Sequence, residues 1–298
     1  MTQSKPKKNI IIMRNGALGD FVLTLPVFLA FQEYFLNYRL YVIGRTSFCS
    51  LLSKSWNVID NDSRDWSGLY GNGSLPKQTL DLFANTTLAL VYSKPYGNLL
   101  KNMKNLLAEK ALFFDPQPPI NFSGHIIDHL LTPLTKTLKI PVYTRTPKIS
   151  ISKPQKCKID VIAHVGSSSL KKNWALENFI VWAGNLRRRG MTVKLIQGPI
   201  EKETGIAATA DFPITYPESL EQLTSLLASA TLFVGNDSGP GHLAAALGTK
   251  TLTLFGPTNP QIWKPYHLRN LIISAQSKSM KDINVESVIL ATLKQLAD

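Results

Sequence analysis

Cysteine is almost absent: Cys49 and Cys157 are the two in 298 residues. That count excludes a disulfide framework and points to a reducing compartment, the cytoplasm being the simplest. Long apolar runs are missing too. The longest, Phe21–Phe31, is interrupted by Thr24 and Pro26, whereas a bilayer-spanning helix needs about 20 residues. The apolar stretch behind the basic start, Ile10–Met13, is too short for a secretion signal. The expectation is a protein without a membrane span. Acidic residues are scarce, 20 Asp and Glu against 33 Lys and Arg, a formal net charge of +13. Residues 1–150 carry 17 basic against 9 acidic side chains and are the more basic half. Such an excess favours an anionic partner. Aromatic side chains do not interleave with the basic ones as base-stacking surfaces require, which argues against nucleic acid. The histidines and cysteines lack zinc-ligand spacing, and no catalytic metal or cofactor is expected.

What is present is a regular alternation. Apolar, strand-type runs occur at Ile10–Met13, Leu40–Ile43, Leu88–Val91, Ala111–Phe114, Asp160–His164, Thr192–Ile196, Thr231–Val234 and Thr251–Phe255. Helical patterns lie between several of them, at Phe21–Phe35, Leu99–Leu107, Asn178–Arg189, Leu220–Ala230 and Gly241–Leu247. This is the pattern of α/β domains with parallel sheets, and strands of continuous apolar character fit sheets covered on both faces. The basic, proline-bearing stretch Thr144–Lys158 reads as the linker. It divides the chain into an N-terminal domain, 1–150, and a C-terminal domain, 151–298. The final helical pattern, through Ile283, Val288, Leu290, Leu293 and Leu296, is a candidate to pack back on the N-terminal domain.

Three strand–loop–helix openings carry chemistry. The most informative is TLFVGNDSGPGHLAAALGTKTLTLFGPTNP, Thr231–Pro260. Glycines let the backbone turn sharply and come close to a ligand. A helix beginning at the loop offers N–H groups and a partial positive charge to an anion, and Ser238 and His242 can add donors. A tight connection capped by Asp237 or Ser238 accounts for the same residues. A dinucleotide site also fits the letters Gly239-Pro-Gly241-His-Leu-Ala244, but that fold wants an acid about 20 residues later, and none occurs between Asp237 and Asp282. The second opening is Arg14-Asn15-Gly16-Ala17-Leu18-Gly19-Asp20 followed by FVLTLP, where Asp20 suits either a helix start or a catalytic carboxylate. The third is VIAHVGSSSLKKNWALENF, Val161–Phe179, a serine-rich loop with Lys171 and Lys172. A lysine there can neutralise a departing phosphate or simply face solvent.

Taken in order, RNGALGDFVLTLP, the Lys172-Asn173-Trp174 element and GNDSGPGHLAAALGTKTLTLFGPTNP resemble the signatures of the lipopolysaccharide heptosyltransferases, glycosyltransferase family 9. The resemblance implies a GT-B fold, two Rossmann-like domains with parallel sheets facing across a cleft, and an inverting, metal-independent sugar transfer. It implies that Asp20 is the general base and that Lys172 stabilises the leaving diphosphate. Ser167, Ser168, Ser238, Gly239 and His242 then hold the donor, Asp237 shapes its loop and Glu201, after Gln197-Gly198-Pro199, reaches a ribose. Arg14, Gly16 and Gly19 form the acceptor-side loop. The implied donor is a nucleotide sugar, ADP-heptose in this family. The implied acceptor is a lipopolysaccharide core or related anionic glycan. Another nucleotide sugar, or a non-catalytic or NAD-binding protein, are the alternatives.

Two further signals are ambiguous. Asp60-Asn61-Asp62 spells the metal motif of a different glycosyltransferase fold, but sits in a polar, turn-rich stretch and reads as a surface loop. Lys94, Lys101, Lys104 and Lys110 flank Leu99, Leu100, Met103, Leu106 and Leu107. That segment suits a peripheral contact with the inner face of the cytoplasmic membrane as well as an ordinary helix with a solvated face.

Overall fold

The computed structural model describes residues 7–150, 159–199 and 212–297. These pack as two compact units. The first holds the residues up to Ala17, Thr24–Phe122 and Ile127–Arg145; the second holds Leu18–Leu23, Ser123–Ile126 and the residues from Thr146 on.

In the first unit β1 (Asn9–Arg14), β2 (Arg39–Gly44), β3 (Trp56–Asp60), β4 (Thr86–Tyr92) and β5 (Ala111–Phe114) form a parallel sheet in the order β3-β2-β1-β4-β5. The isoleucine-rich β1 is buried along its whole length, as a central strand covered on both faces must be. Ile10 registers with Leu40 on one side and Leu88 on the other. One face packs Ile11, Met13, Ile43, Trp66, Phe83, Met103 and Leu107 together. The chain runs outward from β1 to β3 and then returns to β4 beside β1, so the strand order reverses at the β1/β4 pair. The helix after β1, Leu18–Tyr34, is apolar nearly all round and accordingly buried from Phe21 to Phe31 except at Leu29, which is half-buried, the expected fate of such a helix.

The second unit contains β6 (Ile159–His164), β7 (Val193–Ile196), β8 (Ile214–Thr215), β9 (Ala230–Asn236), β10 (Lys250–Phe255) and β11 (Asn270–Ser274), all parallel, in the order β11-β10-β9-β6-β7-β8. Here the order reverses between β6 and β9. Their core includes Trp174, Phe179, Trp182, Leu195, Leu232, Leu252 and Val288. A buried indole N–H left without an acceptor would cost about 1–3 kcal/mol, and neither is left so. Trp182 Nε1 donates to Thr292 Oγ1 at 3.1 Å and Trp174 Nε1 to the Ile283 carbonyl at 2.9 Å. Those two bonds, with buried Val288 and Ile289, seat the last helix, Val285–Ala297, in the second unit.

All eight expected strands are present, each within two residues of its expected ends. β3, β8 and β11 went unpredicted. In particular Asp60 ends an edge strand rather than lying in a loop. Its carboxylate accepts from the Asp62 N–H at 3.1 Å, which turns the chain. The Gly97–Leu107 helix buries Met103 and Leu107 and packs Leu99 and Leu106 on the first core, so most of its apolar stripe faces the inside of the unit, with Leu100 half-buried. Among the described residues no helix is long and apolar enough to cross a membrane.

Candidate active site

In open parallel sheets ligands sit beyond the carboxyl ends of the strands where the strand order reverses. In the second unit that place is the pair of loops after β6 and β9, and two of the three predicted motifs meet there.

Asn236, the last residue of β9, is wholly buried and joins the two loops. Its Nδ2 donates to the carbonyls of Val165 and Gly166, each at 3.2 Å, and its Oδ1 accepts from the Trp174 N–H at 2.9 Å. The loop between those contacts is tightened from within. Ser167 Oγ lies 2.6 Å from Asn173 Oδ1 and 2.9 Å from the Ser169 carbonyl, and accepts from the Ser169 N–H. Ser167 is therefore engaged inside the loop, whereas Ser168 is exposed. The short turn Leu170–Lys172 follows. Lys171 faces solvent; Lys172 turns inward, and its Nζ donates to Asp237 Oδ2 at 2.9 Å with the Asp237 side chain 7% exposed.

Past Asp237 the helix Gly239–Ala246 begins, with Ser238 at its N-cap position. Ser238 does not cap it: no side-chain bond is made, and its buried Oγ has no hydrogen-bond partner. Pro240 lacks an N–H and the Gly241 N–H is given to the Ser238 carbonyl at 3.1 Å, which leaves Gly239 as the backbone donor of the first turn. His242 is buried, and its Nδ1 is also without a partner. Two buried polar atoms left unsatisfied in one helix turn are costly. Beside a positively poised helix start, they describe a place for an anion.

Residues 18–23, at the start of the Leu18–Tyr34 helix, pack in this same unit. A Cβ on Gly19 would lie 3.0 Å from His242 Cδ2 and 3.3 Å from the Gly239 Cα, and one on Gly239 would lie 3.0 Å from the Gly19 nitrogen. Hydrogen in place of a side chain at both positions is what permits the approach. Asp20 is the next residue, half-buried in the first helical turn. Of the other residues expected on that loop, Gly16 takes a φ of 139°, open to glycine and strained for other residues. Arg14 is buried in the first unit, its Nε donating to Thr24 Oγ1 at 2.9 Å and its guanidinium 5.8 Å from the centre of the Tyr92 ring. Its side chain thus fastens β1 to the following helix. Glu201 lies outside the described residues.

Burial pushes the His242 pKa down from 6.5 to about 4. Asp237 opposes that shift, His125 adds to it, Asp20 opposes it and Lys172 adds to it. The imidazole is neutral at pH 7, one nitrogen a donor and the other an acceptor. Between pH 6.5 and about 4 the unfolded chain takes up a proton that the folded chain refuses, so stability falls as the pH drops through that window, by about 3 kcal/mol in all. Urea unfolding at pH 7.5, 6 and 5 should show this decline, and His242→Gln should lack that share of it. Equal slopes in the two proteins would mean that His242 protonates freely in the fold.

Three residues of this site were not singled out from sequence: Asn236; Thr258, whose Oγ1 donates to Asp237 Oδ2 at 2.9 Å; and His125, buried, its Nε2 donating to the Lys264 carbonyl at 2.8 Å. Among the described residues no group of His, Cys, Asp and Glu is placed to hold a metal ion.

Residues 127–291, more than half of the chain's length, match the family model glycosyltransferase family 9 (heptosyltransferase). The lipopolysaccharide core heptosyltransferase OpsX of Haemophilus influenzae is 24% identical over 308 aligned positions, covering 94% of this chain and 88% of that protein. The lipopolysaccharide heptosyltransferase 1 of Pseudomonas aeruginosa is 29% identical over 158 positions, 50% of this chain and 44% of that one. In fold, the chain is similar to the E. coli heptosyltransferase WaaC with ADP, with a TM-score of 0.73 at 19% identity, covering 96% of this chain and 99% of that one. Both sheets are parallel and Rossmann-like, the architecture of GT-B glycosyltransferases. The loops that meet at Asn236 lie inside the family-matched region, and the chain belongs to glycosyltransferase family 9, the heptosyltransferase family.

Proposed function

We propose that the protein is an inverting heptosyltransferase that moves a heptose from ADP-heptose onto a lipopolysaccharide core or a related anionic glycan. The observation that carries this reading is the unsatisfied pair, Ser238 Oγ and His242 Nδ1, buried at the start of the Gly239–Ala246 helix. Lys172 stands on the neighbouring loop, joined to it through Asp237. In this reading the donor diphosphate accepts hydrogen bonds from Ser238 Oγ, the Gly239 N–H and His242, and Lys172 neutralises it. Asp20 takes the proton of the acceptor hydroxyl as that oxygen attacks the sugar C1. The C1–O bond to the diphosphate breaks on the opposite face, its electrons stay on the phosphate oxygen, and ADP leaves.

The roles of residues 1–150 as acceptor half and 151–298 as donor half belong to the same proposal. So do Ser168 and Glu201 as donor contacts and Gly16 on the acceptor side. The basic excess of the N-terminal half suits an acceptor bearing phosphate or acidic sugars. We place the enzyme in the cytoplasm.

Thermal unfolding of the full chain against ADP, ADP-heptose, UDP, GDP, CDP and NAD tests the donor. A ligand that binds the folded state adds about 2.7 kcal/mol at a hundredfold excess over its Kd. Stabilisation by ADP and ADP-heptose is expected. A response to another nucleoside diphosphate alone would change the donor, and a response to NAD alone would overturn the transferase reading.

A further inference from the structure

The Asp237 carboxylate poses a problem at a site built for a diphosphate. It is nearly buried, carries the ligand's own sign, and sits two residues before Gly239. An aspartate in that position readily turns its carboxylate onto the N–H two residues ahead. Here that N–H belongs to Gly239, the backbone donor of the helix's first turn. In the structure it does not turn that way. The Asp237 N–H donates to the Leu254 carbonyl at 3.1 Å, so the backbone is fixed in the β9–β10 edge. A single carboxylate oxygen, Oδ2, receives both Lys172 Nζ and Thr258 Oγ1, each at 2.9 Å.

The turn that supplies Thr258 is itself held in place. It follows β10 as Gly256-Pro257-Thr258, and a Cβ on Gly256 would come within 2.7 Å of Met280 Sδ. Thr258 approaches from the strand neighbouring β9, opposite in the sheet order to the β6 loop that supplies Lys172.

We propose that Thr258 is a positioning residue of the donor site, which together with Lys172 keeps the Asp237 carboxylate off the start of the Gly239–Ala246 helix and so keeps that start open to phosphate. The inference rests on the donor reading above. It assigns Thr258 no contact with substrate. Removing its hydroxyl leaves Lys172 as the restraint, a flexible side chain that the ligand's phosphates also attract. Asp237 then competes with the ligand for the Gly239 N–H.

The test is isothermal calorimetry of ADP binding to the wild type and to Thr258→Val, Thr258→Ala and Thr258→Ser, with donor and acceptor KM measured alongside. Loss of one hydrogen bond to a charged group corresponds to about a tenfold change in affinity. Thr258→Val and Thr258→Ala should each weaken ADP and raise the donor KM by that factor, with the acceptor KM unchanged. Thr258→Ser, which restores the hydroxyl, should stay within about twofold of the wild type on the same scale. The alanine variant adds no bulk and keeps the test open if the valine one folds poorly. Unchanged ADP affinity in the variants without the hydroxyl, or an equal loss in the serine variant, would overturn the assignment of Thr258. A wild type that binds no nucleoside diphosphate is a different result: it would overturn the donor reading, and this inference with it.

Discussion

Under the proposed mechanism Asp20→Asn should lower turnover by about a thousandfold and leave the ADP Kd within about twofold. A positioned general base contributes on the order of 10² to 10⁴ in rate, and asparagine matches aspartate in shape while losing the basic oxygen. Neither the helix nor the donor loop has reason to fail. Asparagine suits a helix start as well as aspartate does, and the dipole contribution at stake is about 0.3–1 kcal/mol. The Asp20 carboxylate also bears on His242, drawing its pKa upward against burial. Removing it lets the imidazole fall further below its ordinary range, still neutral at pH 7, so the donor contact survives. Steady-state rates with calorimetry of ADP separate the two effects. Retention of a tenth or more of the wild-type turnover would remove Asp20 from the base role; a matching loss of ADP affinity would move it to the donor site.

Lys172→Met should show two losses of different origin. The first is catalytic: without the cation the charge that collects on the departing diphosphate is less well held, a loss of about 10²–10³ in kcat, the scale set by removal of one electrostatic donor. The second is structural, because Asp237 keeps Thr258 as a side-chain donor and loses the cation. Breaking a fully buried ion pair costs about 3–5 kcal/mol. With the Lys172 side chain 25% exposed, solvent screening reduces this to about 1–2 kcal/mol. Urea unfolding and kinetics of Lys172→Met, and of the double variant with Asp237→Asn, distinguish the two. The double variant should regain stability and none of the rate. Lys171→Met, at a solvent-facing position, should be silent in both assays. Equal effects of the two lysines would show that general positive charge, rather than the placement of Lys172, serves the reaction.

The parts of the fold that sequence made legible are those with unbroken apolar strands. β1 reads as a strand because Ile10, Ile11 and Ile12 are all buried, and the same holds for β9 and β10. The unpredicted strands are edges. In β3 polar Asn57 interrupts the apolar run, β8 is two residues long, and β11 is half-buried throughout most of its length. One-sided or partial burial leaves too little pattern to read. The site divides along a similar line. Asp237, Ser238, Gly239 and His242 lie within one short string whose glycines and helix start carry a local meaning. Ser238 was legible in place but not in its bonding, since a helix cap and an anion contact call for the same residue, and its hydroxyl makes no cap bond. Thr258, Asn236 and His125 act through partners 21, 71 and 139 residues away. Those pairings are products of the sheet order and have no signature in either residue alone.

The clamp at Asn236 bears on the entropy of binding. Through one amide it fastens the β6 loop to the end of β9 and to the Trp174 backbone, and Trp174 is in turn anchored on Ile283. The loop that presents Lys172 is therefore ordered before any nucleotide arrives. Immobilising a flexible side chain on binding costs about 0.5–1.5 kcal/mol each time. Under the proposed donor reading, a loop already fixed by the fold spares the ligand that cost at several positions, so affinity for a diphosphate there would draw on free energy released in folding.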